Sequence, residues 1–479
     1  MSGDTQAAAG LAYQKGLRKS VVAGSIGVLV HWFDWAVYAY MATTIASIFF
    51  PEEDSTAGLL ATFAVFAVSF LVRPIGAVIF GRLGDKLGRK HTLSLVILAM
   101  ALSTLALGVL PTYGTIGVLA PILLIVTRIV QGLAAGGEFG SAAAFLGEFS
   151  PPKRRGFGCS WLEVGSLAGF LLASFVVFLL NQALTPDQVS AWGWRIPFLI
   201  TVPLGFIGLY IRRKIEDTPE FAALQKMETV AEAPLREVFK RNPKQFLQTC
   251  GMETFMNVTF YVVLVYLLTY QETAVGIEPG RAALLSTLAS ALGLVIVPLA
   301  GLASDRFGRK PVLMTAAIAL TVLSVPLFVL MGADYPWASF VSTFGLAFIL
   351  AIILGTHAAT VVELFPTRTR QTGLSIAYAL TAALFAGTAP YILTWLIDST
   401  GSTLSPGWFL AVVGVIGIVT VASLPETRGI DLLRSDDLEE SSAPSAPEAA
   451  EVAEAADVAE AAAPVERPSP SPVEPSSDR

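Results

Sequence analysis

The 479-residue chain is short of charge: only 14% of its residues are Asp, Glu, Lys or Arg, where a soluble protein would have about a quarter. It has two cysteines, Cys159 and Cys250, far apart and in or beside apolar runs. That pattern predicts two buried thiols and excludes a disulfide or cysteine-metal framework. No metal-ligand cluster, nucleophile elbow or phosphate loop is present, and no folded basic module for nucleic acid. These gaps point away from an enzyme, away from a metal site or bound cofactor, and away from a nucleic-acid partner. No cleavable signal peptide is evident, because the first apolar run is long and no small-residue cleavage site follows it. Ten-residue segments of alternating hydropathy, which a transmembrane barrel would need, are missing as well.

The chain does have apolar residues in quantity: 54% are hydrophobic, and the mean hydropathy is +0.66. They come in continuous runs such as TLSLVILAMALSTLALGVL (92–110). A helix needs about 20 apolar residues to cross a bilayer, and a bilayer interior admits only helices or closed barrels as spanning structures. The chain therefore reads as an all-α membrane protein with twelve transmembrane helices, at 20–48, 58–80, 92–110, 116–147, 157–180, 196–211, 246–270, 282–303, 311–331, 338–361, 374–397 and 407–424.

Charge placement tests that order. Lys and Arg crowd the loops on one side: Lys15 to Lys19, Arg82 to Lys90, Lys153 to Arg155, Arg212 to Lys214, the 226–244 loop, Arg306 to Lys310, and Arg368 with Arg370. The opposite loops hold only Arg195 and Arg281, each at a span edge. By the positive-inside rule both termini face the cytoplasm. The net charge of −6 misleads, since residues 435–479 carry twelve acids and two arginines, a balance of −10, which leaves +4 for the rest. This Ala/Glu/Pro/Ser-rich tail has no aromatics and reads as disordered. The expected organisation is a cytoplasmic segment (1–19), a six-helix bundle (20–214), a cytoplasmic loop (215–245), a second six-helix bundle (246–428) and the acidic tail (429–479).

The two bundles repeat. GRLGDKLGRK (81–90) follows the second span and GLASDRFGRK (301–310) the eighth, pairing Gly81 with Gly301, Asp85 with Asp305, Gly88 with Gly308 and Arg89 with Arg309. GEFSPPKRRG (147–156) follows the fourth span and VELFPTRTRQTG (362–373) the tenth. Repeated halves are a recurrent transporter design, with the substrate site between them. Basic turns alone are common, but two loop types repeated in register are not.

Ionisable residues inside apolar spans are costly, and they usually face water or a partner. His31, Asp34, Arg73, Arg128, Glu138, Glu163, Glu253 and His357 are of this kind. His31, Asp34, Trp35 and Tyr38 share one helix face. Arg128, Gln131, Ala135 and Glu138 form another stripe. If these faces meet across a central cavity, Arg128 sits beside Asp34, and Asp34 can carry a coupling proton. His31 can share that proton, having an ordinary pKa of about 6.5, or can be a hydrogen-bonded helix histidine. Glu138 and Glu163 are further proton candidates, with interhelical hydrogen bonding as the plainer role for Glu138. Arg73 precedes Pro74 and reads as satisfying carbonyls that the proline frees. Glu253 and Asn257, four residues apart, and His357 are candidates in the second half. A zwitterion needs an arginine for its carboxylate and an aromatic face for its ammonium. Trp32, Trp35, Tyr38 and Trp161 can supply faces, although such residues also anchor helices at membrane interfaces.

These residues carry a resemblance. GRLGDKLGRK resembles the signature loop of the major facilitator superfamily, RIVQGLAAGGEFG (128–140) its fourth-helix arginine motif, and PETRG (425–429) the motif closing its last helix. HWFDWAVYAY, VRPIG, GGEFG and WGWRIPF are similar to the metabolite:proton symporter family, and CSWLEVGSLAGF with LGFIGLYIRR is most like its proline/betaine branch. The resemblance implies alternating access driven by the proton gradient, with a small polar metabolite and protons as ligands and a monomer sufficient. It also implies that Asp85, with Gly81, Gly88 and Arg89, forms a cytoplasmic lock against a helix N-terminus of the other half. The competing expectations are a carrier of an organic anion such as 2-oxoglutarate and a non-transporting membrane sensor. His31 stands where the family usually has Glu, and the tail shows no heptads.

Overall fold

The computed structural model describes residues 28–432 apart from 52–53, 77–78, 81–88, 136–142, 144–145, 148–149, 217–237, 241, 336, 366 and 431. Twelve apolar helical segments follow one another: α1 (28–49), α2 (Ser55–Gly76), α3 (Arg89–Val109), α4 (Leu119–Ala134), α5 (Arg155–Ala183), α6 (Arg195–Glu216), α7 (Pro243–Val275), α8 (Pro279–Phe307), α9 (Arg309–Met331), α10 (Ala338–Leu364), α11 (Thr372–Thr400) and α12 (Ser405–Ser423). Each corresponds to a span expected from the sequence. The expected start of the first span, the end of the fourth past Ala135 and nearly all of the central loop lie outside the described residues. Residues 1–430 form one compact unit. The second unit, Asp431–Arg479, is described only at Leu432.

Helix ends follow local chemistry. The Asp54 carboxylate accepts from the Thr56 N–H at the start of α2. Pro279, which needs no hydrogen bond at its nitrogen, opens α8 while Glu278 accepts from the Gly280 N–H. Between α8 and α9 the chain turns at Gly308 with φ of +105°, a conformation closed to residues with a side chain. The Glu426 carboxylate, from the PETRG motif, accepts from the Arg309 and Lys310 N–H groups at 2.8 and 3.0 Å and so caps α9.

Large apolar residues on the outer faces stay exposed, among them Val322 and Val329 on α9 and Val412 and Val419 on α12, as lipid contact requires. α7 is the opposite case, buried along almost its whole length. It is not the plain helix the sequence suggests. Two stretches, Tyr261–Tyr266 and Gln271–Val275, are π-helical, and such insertions turn side chains out of register at functional places.

The halves meet along α5 and α8, α5 and α10, and α2 and α11. At the basic end α5 and α8 cross at Gly156 and Gly301. A Cβ on Gly301 would lie 2.7 Å from the Gly156 carbonyl oxygen, and one on Gly156 would lie 2.6 Å from that of Gly301. At the other end the Thr43 hydroxyl on α1 donates to Glu272 Oε2 on α7 at 2.9 Å, and Thr287 on α8 donates to Ser174 on α5 at 3.0 Å. The halves thus touch at both ends of the interface.

Candidate functional site

The α1 and α4 faces meet as expected, but through an intermediary. Gln131 Nε2 donates to Asp34 Oδ2 and to Thr104 Oγ1, while Arg128 Nη1 donates to Gln131 Oε1. The glutamine amide passes the interaction between the two charges, so Asp34 and Arg128 form no direct ion pair among the described residues. The Arg128 guanidinium lies 3.7 Å from the Tyr38 ring centroid and 5.0 Å from that of Trp35. The Tyr38 hydroxyl donates to the Thr62 carbonyl of α2 at 3.0 Å. Asp34, Arg128 and Gln131 are all buried. His31 sits one turn away at the edge of this group, its ring against Trp32 and Trp35.

A second group lies in the other half. His357 Nε2 on α10 is 3.3 Å from Glu253 Oε1 on α7, and Asn257 Nδ2 donates to Glu253 Oε2 at 3.3 Å. Glu163, from α5 of the first half, is close enough for its charge to act on both His357 and Glu253. The ionisable chemistry is therefore shared across the interface, although six of the eight ionisable residues in the spans belong to the first bundle.

Between the groups stands a wall of rings. Trp32 packs on Phe260 at 4.9 Å and Phe170 at 5.7 Å, and Phe70 meets Tyr261 edge-on at 5.3 Å. Trp161 is not part of it. It is 37% exposed and packs against Phe157 at the basic end, because its position on α5 faces outward there. Arg73 lies against two of the neighbouring rings. It is buried, with its guanidinium 3.8 Å from the Phe70 ring and 4.3 Å from that of Trp35. Its Nε and Nη2 find no hydrogen-bond partner among the described residues, so these atoms serve no carbonyl freed by Pro74. Cys250 is likewise only partly buried, unlike Cys159.

Of the lock residues, Gly81, Asp85 and Gly88 lie outside the described residues, as does Glu138, and of Arg89 only the backbone is described. Their repeat mates build the lock in the second half. The Asp305 carboxylate accepts from the Gly156 N–H at 2.8 Å and the Phe157 N–H at 2.9 Å, at the N-terminus of α5, where the helix dipole favours an anion. Arg309 donates to Asp305 at 2.8 Å and to both oxygens of Glu363 at 3.2 Å. Arg155 Nη1, from the first half, donates to Glu363 Oε1 at 3.0 Å, and Thr427 donates to Glu363 Oε2 at 2.7 Å.

Sequence reasoning did not single out Glu363 or Arg155. The second repeat contained the signal. Arg155 Nε donates to the Gly147 carbonyl and Arg370 Nε to the Val362 carbonyl, each at 3.0 Å and each spanning eight residues. The repeated arginines fold back on the ends of their preceding helices in the same way, and this aims Arg155 at the interface.

The profile of the family described as Sugar (and other) transporter matches residues 20–245 and 225–437. The chain is 38% identical over 421 residues to the proline/betaine transporter of Salmonella typhimurium, covering 86% of this chain and 84% of the relative. The same identity and coverage hold for a glycine betaine/proline/ectoine/pipecolic acid transporter of Dickeya dadantii. A solved structure of a proton:xylose symporter of the major facilitator superfamily superposes with a TM-score of 0.67 at 19% identity, over 89% of this chain and 99% of that one. With two repeated six-helix bundles and a polar site between them, the chain is a multi-pass membrane transporter, not an enzyme; it has the fold of the major facilitator superfamily and belongs to the Sugar (and other) transporter family.

Proposed function

We propose that the protein is a proton-coupled symporter that imports a zwitterionic compatible solute of the proline or glycine betaine type across the cell membrane, with both termini in the cytoplasm. The observation that carries the reading is the buried Asp34–Gln131–Arg128 chain beside an interface lined with aromatic rings. The names of relatives at 38% identity supply the substrate class.

In this reading the bundles 20–214 and 246–428 rock about the central site. A monomer suffices, and the proton gradient is the energy source in place of any cofactor. Asp34 takes a proton when the site is open to the side of higher proton activity. Protonation removes the charge that Arg128 faces through Gln131, so each proton step changes how firmly α1 and α4 hold together. Rings such as Trp32 and Phe260 offer π faces to an alkylated ammonium. On the basic side, the Asp305–α5 contact must break for release into the cytoplasm and re-form before the next cycle.

Uptake into proteoliposomes under an imposed inward proton gradient tests this. Labelled proline, glycine betaine and 2-oxoglutarate are compared, for the wild type and for Asp34→Asn. Proline or betaine uptake that collapses with the gradient and in the variant is the expected result. Uptake of 2-oxoglutarate alone would move the protein to the organic anions. Gradient-driven uptake that survives Asp34→Asn would move the coupling site to Glu163 or Glu138.

A further inference from the structure

Most buried charges near the middle of the interface have a counter-charge. Asp34 and Arg128 answer each other through Gln131. Glu253 is paired with His357. Two charges remain over. Arg73 on α2 is 4% exposed, two of its three guanidinium nitrogens lack a hydrogen-bond partner, and among the described residues no carboxylate lies within ion-pair distance of it. Glu163 on α5 is 3% exposed, and its Oε1 has no hydrogen-bond partner among the described residues. It shares the single imidazole of His357 with Glu253, so two carboxylates face at most one imidazolium. Tyr378 on α11 lies within electrostatic reach of Arg73, Glu253 and Glu163, and its hydroxyl is a hydrogen-bond partner of Arg73. Tyr261, on the first π-helical stretch of α7, also faces Arg73.

An isolated buried charge is costly, and the cost is removed when an opposite charge with good hydrogen-bond geometry arrives. The rings of Phe70 and Trp35 hold the guanidinium in place, with the Tyr378 and Tyr261 hydroxyls beside it, but Nε and Nη2 are left without an acceptor. A carboxylate supplies one for each, with two parallel hydrogen bonds. A fixed cation and a surplus anion, both within electrostatic reach of Tyr378, make a dipolar socket. The ligand that neutralises both ends is itself dipolar, with a carboxylate and an ammonium.

We propose that Arg73 is the anchor for the substrate carboxylate and that Glu163 faces the substrate's cationic end, so that a zwitterion lies along Tyr378 between α2 and α5. This assignment rests on the compatible-solute reading above and adds to it the residues that set specificity. It also separates two arginines of similar appearance: Arg128 belongs to the proton chain, and Arg73 belongs to the ligand. A substrate bridging α2 and α5 past Tyr261 and Tyr378 touches both halves, so its arrival and departure bear on their closure.

The test is equilibrium binding to the purified full-length protein, by titration calorimetry, with three probes of nearly one shape. Glycine betaine carries both charges, choline has the cation without the carboxylate, and 3,3-dimethylbutyrate has the carboxylate without the cation. For the wild type the expected order is betaine above both others. Arg73→Gln is expected to weaken betaine at least about thirtyfold while leaving choline unchanged, the scale for loss of one partner of a buried charged pair. Glu163→Gln is expected to erase the preference for betaine over dimethylbutyrate. Thermal unfolding of each variant checks that it folds. A folded Arg73→Gln protein that binds betaine as tightly as the wild type overturns the assignment. So does a wild type that binds choline as tightly as betaine, a result that needs no variant. A wild type that binds neither betaine nor, in a parallel titration, proline overturns the compatible-solute reading itself, and with it this assignment.

Discussion

At the basic end of the interface the two halves are joined by charge; at the opposite end they are joined by a hydroxyl and by rings. The first contact gathers Arg155, Asp305, Arg309 and Glu363, with two backbone N–H groups of α5 and the Thr427 hydroxyl filling the remaining acceptor sites. The second consists of the Thr43–Glu272 hydrogen bond, the Thr287–Ser174 bond and the contact of Phe63 with Tyr266. A buried ion network is all or none: each member is tolerable only while the others stay in place. Hydroxyl bonds and ring contacts are weaker singly and can be lost one at a time. The difference teaches that the network at the basic end should hold or fail as a unit, while the other end should yield by degrees.

Removing a charge from that network should have the largest effect. Glu363→Ala leaves Arg155 and Arg309 buried without their shared carboxylate, which should cost about 3–5 kcal/mol of stability. Thermal unfolding in detergent measures it, and a melting temperature equal to the wild type would show that the network is not stabilising. Next is a steric wedge. Gly301→Ala puts a methyl group 2.7 Å from the Gly156 carbonyl oxygen, an overpacking cost of about 1–3 kcal/mol borne only while the basic end is closed. Exchange should shift toward conformations open at that end, read as faster labelling of a cysteine introduced in place of Ser304 in a chain lacking Cys159 and Cys250. Unchanged labelling would mean that the helices can separate there without reopening the end.

Asp305→Asn is gentler, since an amide oxygen can still accept from the α5 backbone while the attraction to Arg309 and the helix dipole is lost. Turnover should fall about tenfold, the equivalent of about 1.4 kcal/mol, with substrate affinity nearly unchanged. A change in affinity of the same size as the change in rate would tie Asp305 to the binding site instead. The smallest effect belongs to the other end. Thr43→Val removes one hydrogen bond to a half-buried carboxylate that water can replace, worth about 0.5–1 kcal/mol. Proteoliposome uptake should change less than about threefold. A loss as large as that of Glu363→Ala would abolish the contrast between the ends.

The same contrast marks what could be read in the residues. The apolar runs, the loop order and the two repeated loop types were legible. So was the meeting of the His31–Tyr38 face with the Arg128 stripe, because helix periodicity fixes which residues share a side. Gln131 between Asp34 and Arg128 was not foreseen as a bridge, although it lay on the predicted stripe. Glu363 sat in a quoted repeat and was passed over, since nothing in a loop sequence says which half it will face. Trp161 had the right chemistry for a cage and the wrong side of its helix.

By itself, then, the sequence determined the number of spans, their order and the repetition of the halves. Each of those follows from local quantities: run length against bilayer thickness, loop charge, and matching motifs. Only the tertiary structure decided which charges meet. Asp305 finds the N-terminus of α5, Glu163 finds His357, and Arg73 finds rings in place of a carboxylate. The reason is physical: pairing energy depends on distances between atoms on different helices, often far apart along the chain, and those distances exist only once the helices have packed.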